Sequence, residues 1–140
     1  MKTKSFIIVS TILIVINFGC KQVLDCAIFP NDVSIQDRNF PIGIVSSNFH
    51  QTILCSVSAI TSEKSIISYY DIEGDLPPGI HSRAIKTTNN YILIAGKPTT
   101  KGTYSFTLTV RMDKHLPFPD DDTDEICNDT DTKTYTITIK

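Results

Sequence analysis

The fold is decided by one stretch, Thr103-Tyr104-Ser105-Phe106-Thr107-Leu108-Thr109-Val110, in which hydroxyl and apolar side chains alternate. Successive side chains of a β-strand point to opposite faces, so this order turns the aromatic and aliphatic residues inward and the threonines outward. Segments 50–59 and 133–139 show the same period of two. Such patterns are typical of antiparallel strands with one buried face.

Four further strands are predicted at 27–35, 41–47, 66–72 and 91–95, where β-branched and aromatic residues are concentrated. Glycine, proline and asparagine lie between these segments and mark turns. No segment after residue 19 has convincing helical periodicity. We therefore predict an all-β chain that forms a single Ig-like antiparallel β-sandwich of about seven strands after an N-terminal signal segment.

The first nineteen residues have the composition of a signal peptide. A basic start with Lys2 and Lys4 is followed by an uncharged run from Ser5 to Gly19. That run is shorter than the roughly 20 residues that a membrane-spanning helix needs, and it suits the apolar region of a signal peptide. We assign 1–19 to the signal, 20–26 to a short tether and 27–140 to the sandwich.

The junction Gly19-Cys20 resembles the lipobox of exported bacterial lipoproteins. In that family the cysteine carries the lipid and becomes the first residue of the mature protein. Asn17 departs from the leucine that is usual three places before the cysteine. The resemblance implies lipidation at Cys20 and a membrane-anchored domain in the periplasm or on the cell surface. A plain secretory signal and an uncleaved anchor are the alternatives, and both also place the domain outside the cytoplasm.

The middle of the chain resembles the putative Ig domains of bacterial surface proteins, which are akin to cadherin-like and dystroglycan-type modules. The resemblance rests on two runs, Gly74-Asp75-Leu76-Pro77-Pro78-Gly79-Ile80 and Ile94-Ala95-Gly96-Lys97-Pro98-Thr99-Thr100-Lys101-Gly102-Thr103-Tyr104-Ser105-Phe106-Thr107-Leu108-Thr109-Val110. It implies the sandwich fold but no single function, because such modules act as spacers, adhesion units and ligand binders. Gly79 and Gly96 stand where the turns require positive φ or close backbone approach.

Three cysteines remain if Cys20 is lipidated, and oxidation is permitted outside the cytoplasm. One pair can form, and three pairings are possible. In Ig-like sandwiches the first and last strands can run parallel as neighbours, which would bring Cys26 and Cys127 to the same end. The resemblance therefore implies a Cys26–Cys127 disulfide, with Cys55 free and buried on the inward face of its strand.

The loop between the last two predicted strands, 113–132, is strongly acidic. Seven of the fifteen acidic residues lie between positions 120 and 131. Carboxylates are the oxygen ligands that Ca²⁺ prefers, whereas a run of like charges is usually only solvated. A possible calcium site would use the carboxylates of Asp120, Asp121, Asp122, Asp124, Glu125 and Asp129.

No local motif for catalysis is present. His50, His81 and His115 have no metal-ligand spacing around them, and the pair Asp71 and Glu73 suits a solvated strand end. We predict that the chain is not an enzyme and, without a basic patch, does not bind nucleic acid. The leading hypothesis is a lipid-anchored structural or interaction module of the cell envelope with an unknown protein or glycan partner. The alternative is a calcium-dependent adhesion or recognition module that uses the acidic loop.

Overall fold

The computed structural model describes residues 26–27, 30–58, 65–86, 90–114 and 126–140. Within these ranges the chain forms seven strands: β1 Val33–Ile35, β2 Phe49–Val57, β3 Ser65–Gly74, β4 Ile80–Lys86, β5 Asn90–Gly96, β6 Gly102–Lys114 and β7 Thr130–Ile139. Residues 31–140 make one compact unit.

The strands form two antiparallel sheets, with the orders β1-β2-β5-β4 and β3-β6-β7. Four strands in one sheet and three in the other, in this order, is the arrangement of a constant-type immunoglobulin domain. The predicted fold, an all-β Ig-like sandwich of seven strands, is confirmed.

The chain at the start of β1 lies beside the residues that precede β7. Asp32 and Asn128 form a parallel bridge, and the backbone N–H of Val33 donates to the carbonyl oxygen of Asn128 over 2.9 Å. Further along, the hydroxyl of Tyr135 donates to the carbonyl of Gln36 over 2.7 Å. The expectation that the first and last strands are parallel neighbours is therefore confirmed.

The core lies between the sheets and is built from the inward residues of the strands. Three of its aromatic rings, Phe49, Phe106 and Tyr135, are buried, and the partly buried Phe40 packs against them with ring centroids 5.7 to 6.3 Å apart. The other fully buried aliphatic side chains are Ile35, Ile53, Ile67, Ile92, Ile94, Leu108, Val110 and Ile137. Because side chains alternate along each strand, the residues between these buried ones point outward. They form the outer surfaces of the two sheets.

Two glycines are required where β4 begins and β5 ends, at the pair Ile80 and Gly96. Gly79 has φ of 88° and Gly96 has φ of 150°. A Cβ atom at Gly79 would overlap the carbonyl oxygen of Lys97, and one at Gly96 would overlap the carbonyl oxygen of Gly79. The predicted need for glycine at both positions is confirmed.

The strands differ from the sequence prediction at several places. β1 covers only Val33–Ile35 of the predicted 27–35, and 41–47 contributes a single bridge from Gly43 to Ile139 before a turn in which Ser46 has φ of 64°. β4 was not predicted at all. β6 reaches Lys114 and β7 begins at Thr130, so the connection between them is shorter than the predicted 113–132.

Candidate functional site

The outward side of β3, β6 and β7 is a continuous polar surface, which we call the hydroxyl face. Its rows follow the strand register, with Asp71 beside Thr109 and Glu73 beside Thr107. Thr107 and Thr109 in turn lie opposite Thr134 and Thr132. We define the hydroxyl face by Tyr69, Asp71, Glu73, Ser105, Thr107, Thr109, Arg111, Thr132, Thr134 and Thr136.

Hydroxyl groups pair across the two inner strands of this face. The Oγ1 atoms of Thr107 and Thr134 are 2.9 Å apart, and those of Thr109 and Thr132 are 3.0 Å apart. A hydroxyl offers one donor and two acceptor positions, so each member of a pair keeps hydrogen-bonding capacity for an external group. The face therefore presents an ordered grid of donors and acceptors.

A β-bulge aims Tyr69 at the solvent. Ile67 pairs with Met112, but the next pair joins Tyr69 to Arg111, so Ser68 is an extra residue in β3. The Ser68 hydroxyl donates to the carbonyl oxygen of Arg111 over 3.2 Å. Without the extra residue the alternation that buries Ile67 would also turn Tyr69 inward. Instead 56% of Tyr69 is exposed.

The charges on the hydroxyl face are unevenly compensated. The Nε atom of Arg111 lies 2.8 Å from a carboxylate oxygen of Asp129 and 3.6 Å from one of Asp113. These groups are about half exposed, so each ion pair contributes little to stability. In the part of the chain that the structure describes, Asp71 and Glu73 are exposed on the face without an ion pair. The face therefore has an excess of negative charge around Tyr69.

The rim of the face is apolar at its other end. Gly43 lies against the core, so that a Cβ atom at this position would overlap the side chain of Ile139 and contact that of Phe49. Its neighbours therefore turn outward beside the end of β7, and Ile42 and Ile44 are 56% and 62% exposed.

Most of the predicted site residues lie outside the described ranges. These are Cys20 and the acidic residues Asp120, Asp121, Asp122, Asp124 and Glu125. Asp129 is described, and it receives hydrogen bonds or ion pairs from Arg111 and from the Thr130 hydroxyl, 2.8 Å from each. The described residues contain no group of three or more possible metal ligands. Calcium binding by the loop stays a prediction.

The cysteines follow the predicted pattern. Cys26 and Cys127 are disulfide-bonded, whereas Cys55 in β2 is free and buried, so the predicted Cys26–Cys127 disulfide is confirmed. Burial raises the pKa of the Cys55 thiol to about 12, against a weaker opposing effect of a backbone hydrogen bond. A thiol that remains protonated is a poor nucleophile, so Cys55 serves as a small core residue.

The histidines lie apart from the hydroxyl face. His50 in β2 and His81 in β4 are exposed on the opposite sheet, and both are in register with Ala95 of β5. His115 lies outside the described ranges. No helix among the described residues has the length and hydropathy required to cross a bilayer.

No protein-family model matches the chain, and no curated protein sequence matches it. Solved structures resemble it in fold. An endo-fucoidan hydrolase of glycoside hydrolase family 107 is 14% identical with a TM-score of 0.48, over 78% of this chain and 14% of that one. The sialic acid binding region of a Streptococcus sanguinis adhesin, bound to 3'sLn, is 10% identical with a TM-score of 0.50, over 80% and 30%.

A PapD-like domain of human CEP192 is 10% identical with a TM-score of 0.42, over 79% of this chain and 85% of that one. At these identities the similarity shows the fold alone. The chain spans well under a third of the hydrolase and about a third of the adhesin region. What the comparison shows is a β-sandwich fold.

The prediction that the chain is not an enzyme is wrong on these comparisons, because two of the similar structures are endo-fucoidan hydrolases. The prediction rested on the absence of local motifs. Glycoside hydrolysis in general needs two carboxyl groups about 5 to 9.5 Å apart, which need not be close in sequence. A search for contiguous motifs therefore excludes too much.

Proposed function

We propose that this chain is an interaction module of the bacterial cell envelope, tethered by a lipid on Cys20, and that its hydroxyl face binds a glycan. The observation that carries the proposal is Tyr69, which a bulge turns outward beside rows of carboxylates and paired hydroxyls. The tether rests on the apolar segment and the Gly19-Cys20 junction.

The chemistry of the hydroxyl face suits a sugar. Sugars carry many hydroxyl groups, which donate well to the carboxylates of Asp71 and Glu73 and exchange donor and acceptor roles with threonine. An aromatic ring adds a rigid apolar surface with a polar tip at low cost in conformational entropy. The face is the outer surface of a sheet, along which an extended polymer can lie. The similar adhesin region that binds 3'sLn supports a glycan as the ligand class, and the carboxylates of Asp71 and Glu73 favour a neutral sugar over an acidic one.

Replacing Tyr69 by alanine should weaken glycan binding at least about fivefold, because an aromatic contact contributes about 1 kcal/mol beyond its buried area. A glycan array identifies the best ligand, and isothermal titration calorimetry of the full chain then measures its dissociation constant. Tyr91→Ala is the matched control, because it removes the same side chain from the opposite sheet. Equal effects of the two substitutions, or no glycan bound by the wild type, would exclude the hydroxyl face as the site.

The lipid should be detectable directly. Mass spectrometry of the mature protein from bacterial membranes is expected to show an acylated Cys20 as the first residue. Cys20→Ser should abolish metabolic labelling with palmitate, whereas Cys55→Ser should retain it. A mature chain that begins elsewhere, or labelling that survives Cys20→Ser, would rule out the lipidation.

A further inference from the structure

The outer surface of the other sheet differs in character from the hydroxyl face. Three rows cross β2, β5 and β4 in register: Leu54 with Tyr91 and Ile85, then Thr52 with Leu93 and Arg83, then His50 with Ala95 and His81. We call these nine residues the amphipathic face. Its first row is apolar across all three strands, and 44% of Leu54 is exposed.

The one formally charged residue of the amphipathic face is Arg83, and two histidines share the face with it. β2, β4 and β5 contain no aspartate or glutamate. Asp37, which follows β1 on the far side of β2, is held 2.8 Å from the amino group of Lys133. The negative charges of the described strands lie mainly in β3, β6 and β7 instead. The two faces of the sandwich are therefore electrostatically distinct.

We propose that the amphipathic face docks on an anionic membrane surface. A soluble polyanion would contact Arg83 but would leave the apolar row in water. A bilayer interface accommodates both the apolar row and Arg83. The apolar side chains enter the boundary between headgroups and acyl chains, and the guanidinium group remains beside the phosphates. Tyr91, with an apolar ring and a polar hydroxyl, is the kind of residue that settles at that depth.

This docking would complement the proposed glycan site without depending on it. The two sheets of a sandwich present their outer faces in opposite directions. With β2, β4 and β5 on the membrane, the hydroxyl face would point away from it, toward ligands in the surrounding space. The proposal thus gives the domain a defined orientation at the surface.

The full chain contains no tryptophan, so a single substitution creates a specific fluorescent reporter. Tyr91→Trp places it on the amphipathic face, and Tyr69→Trp is the matched reporter on the hydroxyl face. Both are mixed with phosphatidylcholine vesicles, with or without phosphatidylglycerol, whose acyl chains carry bromine as a quencher. The N-terminal segment contributes equally to both variants, so the comparison reports which face contacts lipid.

With anionic vesicles the emission of the Tyr91→Trp variant should shift to shorter wavelength and be quenched by bromine, and that of Tyr69→Trp should not. Adding Arg83→Gln should reduce the preference for anionic vesicles about fivefold. Quenching that is equal in the two reporters, absent from Tyr91→Trp, or insensitive to Arg83→Gln would overturn the proposal. A salt-sensitive shift without bromine quenching would also overturn it, because the partner would then lie in water.

Discussion

Loss of the Cys26–Cys127 disulfide is expected to lower the free energy of unfolding by about 3–5 kcal/mol. The bond closes a loop of about a hundred residues, and cross-linking a loop of that size restricts the unfolded chain strongly. Urea titration of the wild type with and without reductant measures the effect. The Cys127→Ser variant should unfold at the lower urea concentration in both conditions.

The reductant should have no further effect on Cys127→Ser, because Cys55 is free and buried. The raised pKa of the Cys55 thiol, about 12, also predicts that iodoacetamide modifies it only after unfolding. A loss below about 1 kcal/mol on reduction would mean that the bond does not restrict the unfolded state as the loop-closure model requires.

The central strands could be predicted because their pattern is local. Thr103–Val110 alternates without a break, and the inward Phe106 and Leu108 are 1% and 0% exposed. β4 was missed because Ile85 turns outward beside Tyr91 while Ser82 lies on the inner side. That edge strand is held by its backbone pairing with β5, which a period-two pattern does not reveal.

The opposite error, the strand predicted at 41–47, has a related cause. Its apolar residues Ile42 and Ile44 are exposed, and the chain turns at Ser46. Hydrophobicity alone predicted a buried strand there. The structure uses only the bridge from Gly43 to Ile139, because Gly43 lets that segment approach the core closely.

The hydroxyl face was beyond local sequence analysis for a different reason. Outward threonines are predictable from alternation, but the pairing of Thr107 with Thr134 depends on the register of residues 27 positions apart. The exposure of Tyr69 depends on a bulge that is defined only by the partner strand. Surface sites that cross several strands therefore need the pairing as well as the pattern.

Replacing Phe106 by alanine should produce a loss of stability as large as that of the disulfide, about 3–5 kcal/mol. The ring is almost fully buried, stacks on Tyr135 at 5.5 Å, and lies 6.2 Å from Phe40. Removing it leaves a cavity beneath the hydroxyl face, because strands hydrogen-bonded on both sides of β6 cannot collapse to fill it.

Urea unfolding of Phe106→Ala and Phe106→Leu distinguishes cavity formation from a general sensitivity of β6. The leucine variant retains most of the side-chain volume, so its free energy of unfolding should fall by about 1.5 kcal/mol or less. Thr107→Ala, one position further along the strand and facing outward, should change stability by only a few tenths of a kcal/mol. A smaller loss of unfolding free energy in the alanine variant than in the leucine variant would mean that the aromatic cluster does not hold the two sheets together. The hydroxyl face would then be held in register by its backbone hydrogen bonds alone.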